Sequence, residues 1–279
     1  MVVRFVEDQL KVVIHANKIE WQQRYTRHVV SGLTQHGIQV RVTSSQQRQP
    51  CDLAILMGPN AWQRIENNGT FLMLNRKFVG NDPKVVHENC AISWNGFNGY
   101  GTFCVDEVDP SRLERYMKAD EILPWRDGEN TIFCEQSNVG RSTTHRSLER
   151  YYNHVKTNTN GKVIFRSKPI GEENISYEGV TNSLQKQNPK VVVNLNSTIS
   201  LDALSFGIPV ISLDKGDPAY AITGHTLNEI VKPDNRLEFF QHLAHCQWTE
   251  DEIKSGEFWE HIYPMRGPKL HEWTNGSKR

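Results

Sequence analysis

The sequence predicts an α/β protein built as two doubly wound domains that face one another across a cleft. Three observations predict it. Short apolar runs alternate along the chain with longer amphipathic segments, the alternation falls into two series parted by a Pro/Gly break, LPWRDG (123–128), and 279 residues are too many for one small core. Strands alternating with helices imply parallel sheets covered on both faces.

In the first series KVVIHAN (11–17) reads as a buried strand. EWQQRYTRHVVSGLTQHG (20–37) reads as a helix, with Trp21, Tyr25, Val29 and Leu33 at four-residue spacing and Gly37 as its stop. IQVRVTSS (38–45), CDLAILMG (51–58) and TFLMLNR (70–76) are further strands. The second series runs as strand NTIFCEQ (130–136), helix HRSLERYYNHVKTNTNG (145–161) and strand KVIFRSKP (162–169), which Pro closes. Helix ISYEGVTNSLQKQN (175–188), strand KVVVNL (190–195), helix SLDALSFG (200–207) and strand IPVISLD (208–214) follow, with two helices expected within 235–262. The halves are both Rossmann-like: an N-terminal domain at 1–124, and a C-terminal domain at 125–262 whose last helices return to the junction. The tail at 263–279 reads as loosely packed.

Composition removes several function classes. Lys+Arg and Asp+Glu both number 32, so the formal net charge is zero at a pI near 7.2, and any polyanion must be met by a local patch. A mean hydropathy of −0.58, with no apolar run approaching about 20 residues, predicts no membrane span. The opening MVVRFVEDQLKVVIHAN carries acids where an export signal needs an apolar stretch, so a cytoplasmic location is expected. Cysteines 51, 90, 104, 134 and 246 are odd in number and scattered, without a C-x-x-C pair, as in a reducing compartment with neither a disulfide framework nor a zinc site. Oligomeric state is not legible.

Ligands of open α/β sheets bind beyond the carboxyl ends of the strands. Three such turns are polar here. SNVGRSTTHRS (137–147) offers Ser137, Gly140, Arg141 and Ser142; the next turn offers Arg166 and Lys168; the third, NLNSTIS (194–200), offers Asn196, Ser197, Thr198 and Ser200. Each alone reads as an ordinary helix cap. Together, hydroxyls, helix N–H groups and cations hold a phosphate without a P-loop. Ser197 and Thr198 are expected to cap a helix at 199–206, with Asp202 one turn inside, near enough to accept from a ribose hydroxyl.

The strand followed by N-S-T-x-S-x-D-A-L-x-x-G-x-P-V (196–210) resembles the donor-binding turn of GT-B glycosyltransferases. SWNGFNGYGTF (93–103), LPWRDG, a strand ending R-S-K-P, and LAHCQWTEDEIKSGEFWEHI (243–262) are together similar, in the same order, to a group of small GT-B-like proteins of bacteriophage genomes. The resemblance implies a nucleoside-diphosphate sugar, a UDP-sugar, as donor, bound by the C-terminal domain. It implies transfer to a 5-hydroxymethylpyrimidine of phage DNA, and a host-cytoplasmic location. The group's pattern is commonly R-P-H-P where this chain has Arg166-Ser167-Lys168-Pro169; lysine replaces histidine as a phosphate cation but not as a proton carrier at neutral pH. A sugar-nucleotide epimerase and a non-catalytic binding protein of the same architecture are the alternatives.

The N-terminal half is then expected to hold the acceptor and any base. WNGFNGYG (94–101) has three glycines and two asparagines around its rings, which marks an irregular loop. Trp94, Phe97 and Tyr100, with Asn95 and Asn98, either receive a flipped base or belong to the core. His15 and Asn17 end the first strand, His15 as a catalytic candidate and Asn17 on the acceptor side; Asp106 and Asp109 are general-base candidates or solvated loop acids. Arg24, Arg27, Arg41, Arg48, Arg76 and Lys77 are either a grip on DNA or a dispersed surface set. In an inverting transfer Arg141, Arg166, Lys168 and helix starts at 142 and 198 would stabilise the departing diphosphate without a metal. The absence of a D-x-D sequence disfavours the metal-dependent transferase fold.

Overall fold

The computed structural model describes residues 10–45, 47, 49–58, 70–80, 89–101, 108–136, 147–167 and 184–265. The chain is mixed α/β with two largely parallel sheets. The first gathers β1 (Lys11–His15), β2 (Gln39–Thr43), β3 (Leu53–Met57), β4 (Phe71–Arg76) and β5 (Asn89–Trp94). Helix α1 (Glu20–Gln35) crosses from β1 to β2, buries Tyr25, Val29 and Leu33, and ends at Gly37, whose φ of 73° only glycine adopts freely. The short α2 (Pro110–Glu114) follows β5. The second sheet gathers β6 (Asn130–Cys134), β7 (Val163–Arg166), β8 (Pro189–Asn194) and β9 (Val210–Ser212), with helices α3 (Leu148–Asn158) and α4 (Ile199–Ser205).

The strand orders match. In the second sheet the order is β7-β6-β8-β9, all parallel; in the first, β2-β1-β3-β4 repeats that order before β5 adds antiparallel to β4. β3 (LAILM) is buried along its whole length, as a central strand covered on both faces must be.

Two strands differ from the sequence reading. β5 lies where only a loop was expected from residue 94 on. A further strand, β10 (Gln247–Thr249), interrupts the expected helical run and pairs antiparallel with β5. Around it stand α5 (Arg236–His245), α6 (Glu250–Ser255) and α7 (Glu257–Ile262). Gln247 is held by its side chain as well: Oε1 accepts from the amides of Phe78 and Val79, both at 2.8 Å, and Nε2 donates to the Val79 carbonyl. Helix α6 lies so close on α1 that a Cβ at Gly32 would stand 2.1 Å from the carbonyl of Ile253.

The two sheets also share a core. Phe78, Val79 and Leu113 of the first half form one apolar cluster with Ile132, Leu201 and Leu204 of the second, so part of the junction is filled rather than open. Arg236 closes the linker, donating to the carbonyls of Leu204 and Leu123 and stacking on Trp125 at 3.7 Å.

Candidate functional site

At the carboxyl end of the second sheet, a buried carboxylate organises the turns. Asp217 is fully buried, and Ser200 Oγ (2.5 Å), Ser212 Oγ (2.7 Å), Asn194 Nδ2 (2.8 Å) and the Ala219 amide (2.8 Å) donate to it. Burial pushes its carboxyl up to about 6 although these donors favour the charged form. Gln136 extends the network, donating to Asn194 Oδ1 and accepting from the Asn196 amide. Ser200, expected at a donor, therefore gives its proton to Asp217. Asn196 is buried with its backbone carrying these bonds.

Ser197 and Thr198 are the half-buried residues of this turn. The expected double cap is not formed. Thr198 precedes α4 with helical angles (φ −64°, ψ −7°) and makes no side-chain cap bond, because a capping hydroxyl needs an extended residue to reach back over the first turn. Ser197 Oγ accepts only a long bond from the Ile199 amide, 3.4 Å. The Thr198 hydroxyl has no hydrogen-bond partner among the described residues. One turn on stands Asp202, half-buried. Burial raises its carboxyl to about 7, against the opposing charges of Lys77 and Arg166. Arg166, buried at the end of β7, comes from the second sheet, and Lys77, directly after β4, from the first.

The 95–101 segment turns its residues inward and across the junction. Asn95 and Asn98 take φ of 58° and 48°. Trp94 is 2% exposed in the first-sheet core, and Phe97 packs on the cluster of Ala54, Leu56, Phe71 and Met73. Asn95 Oδ1 accepts from the Phe71 amide. Asn98 Nδ2 donates to the Asn196 carbonyl (2.9 Å), the Gly99 amide to the Gly216 carbonyl (3.2 Å), and the Tyr100 hydroxyl to Asp214 Oδ1 (2.6 Å). A Cβ at Gly99 would lie 2.1 Å from the Asp217 carbonyl. The segment is thus a strut between the halves, and its rings are placed as packing, not as an open stacking platform. Tyr100→Phe is expected to cost about 1–2 kcal/mol in urea unfolding, since one charge-assisted bond is lost while Asp214 keeps the Gly216 amide.

The other candidates lie apart from this turn. His15 is buried at the end of β1 with Nδ1 3.2 Å from the Ser45 carbonyl. Asn17 lines a groove of about 310 Å³ with Lys18, Arg27, Thr43 and Ser44. Asp109 caps α2: its carboxylate accepts from the hydroxyl and amide of Ser111, which hold it below the ordinary carboxylate range, so it is a cap and a poor base. Arg24 pairs with Glu250 at 2.7 Å and Arg41 donates to Gln49, which takes both from a DNA-gripping set. Asp106, Ser137, Gly140, Arg141, Ser142, Lys168 and Arg48, most of the 175–188 helix and the tail from 266 lie outside the described residues. The sequence reading passed over Gln136, Asp214 and Asp217; the signal was present in SLDKGDP (212–218), two acids around a Gly directly after a strand.

No protein-family model matches the sequence, and no curated protein matches it. Among solved structures, a conserved domain protein from Vibrio cholerae is similar over 95% of this chain and 88% of that one, at 11% identity and a TM-score of 0.29. The open, ligand-free structure of a substrate binding protein with adhesive properties from Clostridium difficile is similar over 96% and 90%, at 11% identity and a TM-score of 0.28. Likeness at that level says nothing of the site. Among the described residues no helix is long and apolar enough to cross a membrane, and no group of three or more His, Cys, Asp or Glu could hold a metal ion. Fold and site together define an α/β protein with two parallel-centred sheets and a polar turn cluster at the carboxyl end of the second.

Proposed function

We propose that the protein is a nucleotide-sugar-dependent glycosyltransferase of GT-B-like architecture, with a nucleoside-diphosphate sugar held at the turn after β8. One observation carries the reading. At the carboxyl end of a parallel sheet, a threonine hydroxyl and a carboxylate without hydrogen bonds share one helix face near an arginine and a lysine. Hydroxyl and cations suit a diphosphate, and the acid suits a sugar or ribose hydroxyl. The repeated strand order and the motif at 194–210 support the same reading. In it, an acceptor hydroxyl attacks the anomeric carbon as the diphosphate leaves, and Arg166 and Lys77 meet the departing charge. The acceptor we propose is a 5-hydroxymethylpyrimidine in DNA, reached in the cytoplasm of an infected cell.

The test is a panel of nucleoside-diphosphate sugars incubated with unmodified DNA, hydroxymethylated DNA and no DNA, read by mass spectrometry of released nucleosides. Sugar on hydroxymethylated DNA alone is the expected result; sugar-nucleotide turnover without DNA would indicate an epimerase instead. Replacing Ser197 and Thr198 together by Ala is expected to weaken donor binding by about 2–3 kcal/mol in calorimetry, at ~1–1.5 for each hydroxyl bond to a charged group. Unchanged affinity would move the cradle elsewhere.

A further inference from the structure

Asp202 lies on α4 one turn beyond Thr198, on the same face. The groups that act on it come from three other elements: Lys77 from the turn after β4, Arg166 from the end of β7, and the Cys134 thiol at the end of β6, which Asp202 and Asp217 push up and Arg166 pulls down after burial has raised it to about 12. Asp217, the other acid of the region, is enclosed by its own donors. Neither cation closes an ion pair with Asp202, and nothing donates a hydrogen bond to it among the described residues. Lys77 is nonetheless fixed in place: its ammonium donates to the Gly80 carbonyl at 2.8 Å, and the next two amides are pinned by Gln247. A secluded acid and two cations from opposite sheets therefore surround a shared space without neutralising one another through direct contact.

Resting on the reading of this turn as a phosphate site, we propose that anion binding here is coupled to proton uptake by Asp202, which turns the charge of Lys77 and Arg166 from the acid to the ligand. The balance is one solvent proton added to the carboxylate for each anion bound, with no covalent bond made or broken. The cause is elementary. A phosphate beside an ionised carboxylate in a secluded site is opposed by like charge, and protonating the acid removes that opposition. Burial has already brought Asp202 to about 7, so at neutral pH the proton is nearly free to arrive. Because Lys77 belongs to the first sheet and Arg166 to the second, the bound anion also bridges the halves.

The sign of the effect follows. In the free protein Asp202 is largely protonated below about 7 and ionised above it. A ligand that favours the protonated form then binds more weakly as pH rises above 7, in the limit by ~10-fold per pH unit. The probe is inorganic pyrophosphate, titrated by calorimetry between pH 6 and 8.5 in buffers of different ionisation enthalpy. Wild-type protein is compared with Asp202→Asn, so that the titration of pyrophosphate itself cancels. The expected result is a steeper loss of affinity in the wild type, about 10-fold more over that range, with up to one extra proton taken up per ligand near pH 8. A ligand-free readout guards against a misfolded variant. A carboxyl raised in the folded state stabilises the fold below its unfolded value and loses that contribution as pH rises to about 7, so Asp202→Asn should melt higher than wild type by a margin that grows from pH 5 to pH 8. Equal pH slopes in the two proteins, with pyrophosphate bound, would overturn the coupling and leave the phosphate site standing. No pyrophosphate binding at any pH would overturn both.

Discussion

Asp217→Ala is expected to lower the free energy of unfolding by about 3–5 kcal/mol, the range for stripping the partner from several buried donors at once. Its donors belong to β8 (Asn194), α4 (Ser200), β9 (Ser212) and the following turn (Ala219), so one carboxylate joins every element at this end of the second sheet. Alanine leaves these groups enclosed without an acceptor. The losses are not additive, because Ser212 can turn toward Thr223, which already donates to it at 2.8 Å. For a chain of this size the midpoint of thermal melting should fall by roughly 10 °C. Asp217→Asn keeps the shape but sets an amide N–H₂ against donors, and should lie between the two. A loss under about 1 kcal/mol in urea unfolding would show that the turns are held by apolar packing instead.

Arg112→Ala should cost a comparable ~3–4 kcal/mol through a different arrangement. Arg112 is buried; Nε donates to the Ala244 carbonyl (3.0 Å), Nη1 to Glu252 Oε1 (2.9 Å) and Nη2 to the Gln247 carbonyl (2.5 Å), while the guanidinium lies 4.0 Å over the Trp248 ring. Truncation leaves two carbonyls and half a carboxylate uncompensated; Arg115, 2.7 Å from Glu252, limits the damage. The pH dependence gives a second reading. Burial would raise Glu252, but the bonds and charge of Arg112 and the bonds of Thr249 outweigh it and hold the acid below its ordinary value of 4.5. Its contribution is therefore present above about 4.5 and lost as pH falls through the lower folded value. Stability of Arg112→Ala should consequently fall less steeply on acidification than that of wild type, measured by urea midpoints from pH 6 to pH 3.

Where an element is long or buried on both faces, the sequence was enough. Apolar runs such as LAILM and VVV, and the four-residue spacing along α1, declare their state locally because their burial is uniform or periodic. β5 and β10 are different. NCAISW mixes polar and apolar residues without alternation, and QWT is a three-residue strand between helices; each is extended because it pairs with the other, and that pairing joins residues 89–94 to 247–249. The site divides along the same line. Polar residues directly after strands could be picked out by position, yet position could not tell Ser200, which serves Asp217, from Thr198, which serves nothing in the fold. Nor could the aromatic loop be read correctly, because the partners of Asn98 and Tyr100 lie about a hundred residues away, at Asn196 and Asp214. Isolated motifs show which atoms are polar, and the folded neighbourhood shows which of those are already occupied.

The place of β10 in the first sheet sets an order of events during synthesis. A ribosome extrudes β1 to β5 early, but the strand that covers the edge of β5, and the glutamine side chain that holds the Phe78 and Val79 amides, are encoded near residue 247. The second sheet, β6 to β9, is complete in sequence by residue 212 and contains all its own strands. The half translated second is thus the first able to finish its sheet, while the half translated first waits with an open strand edge until almost the whole chain has emerged.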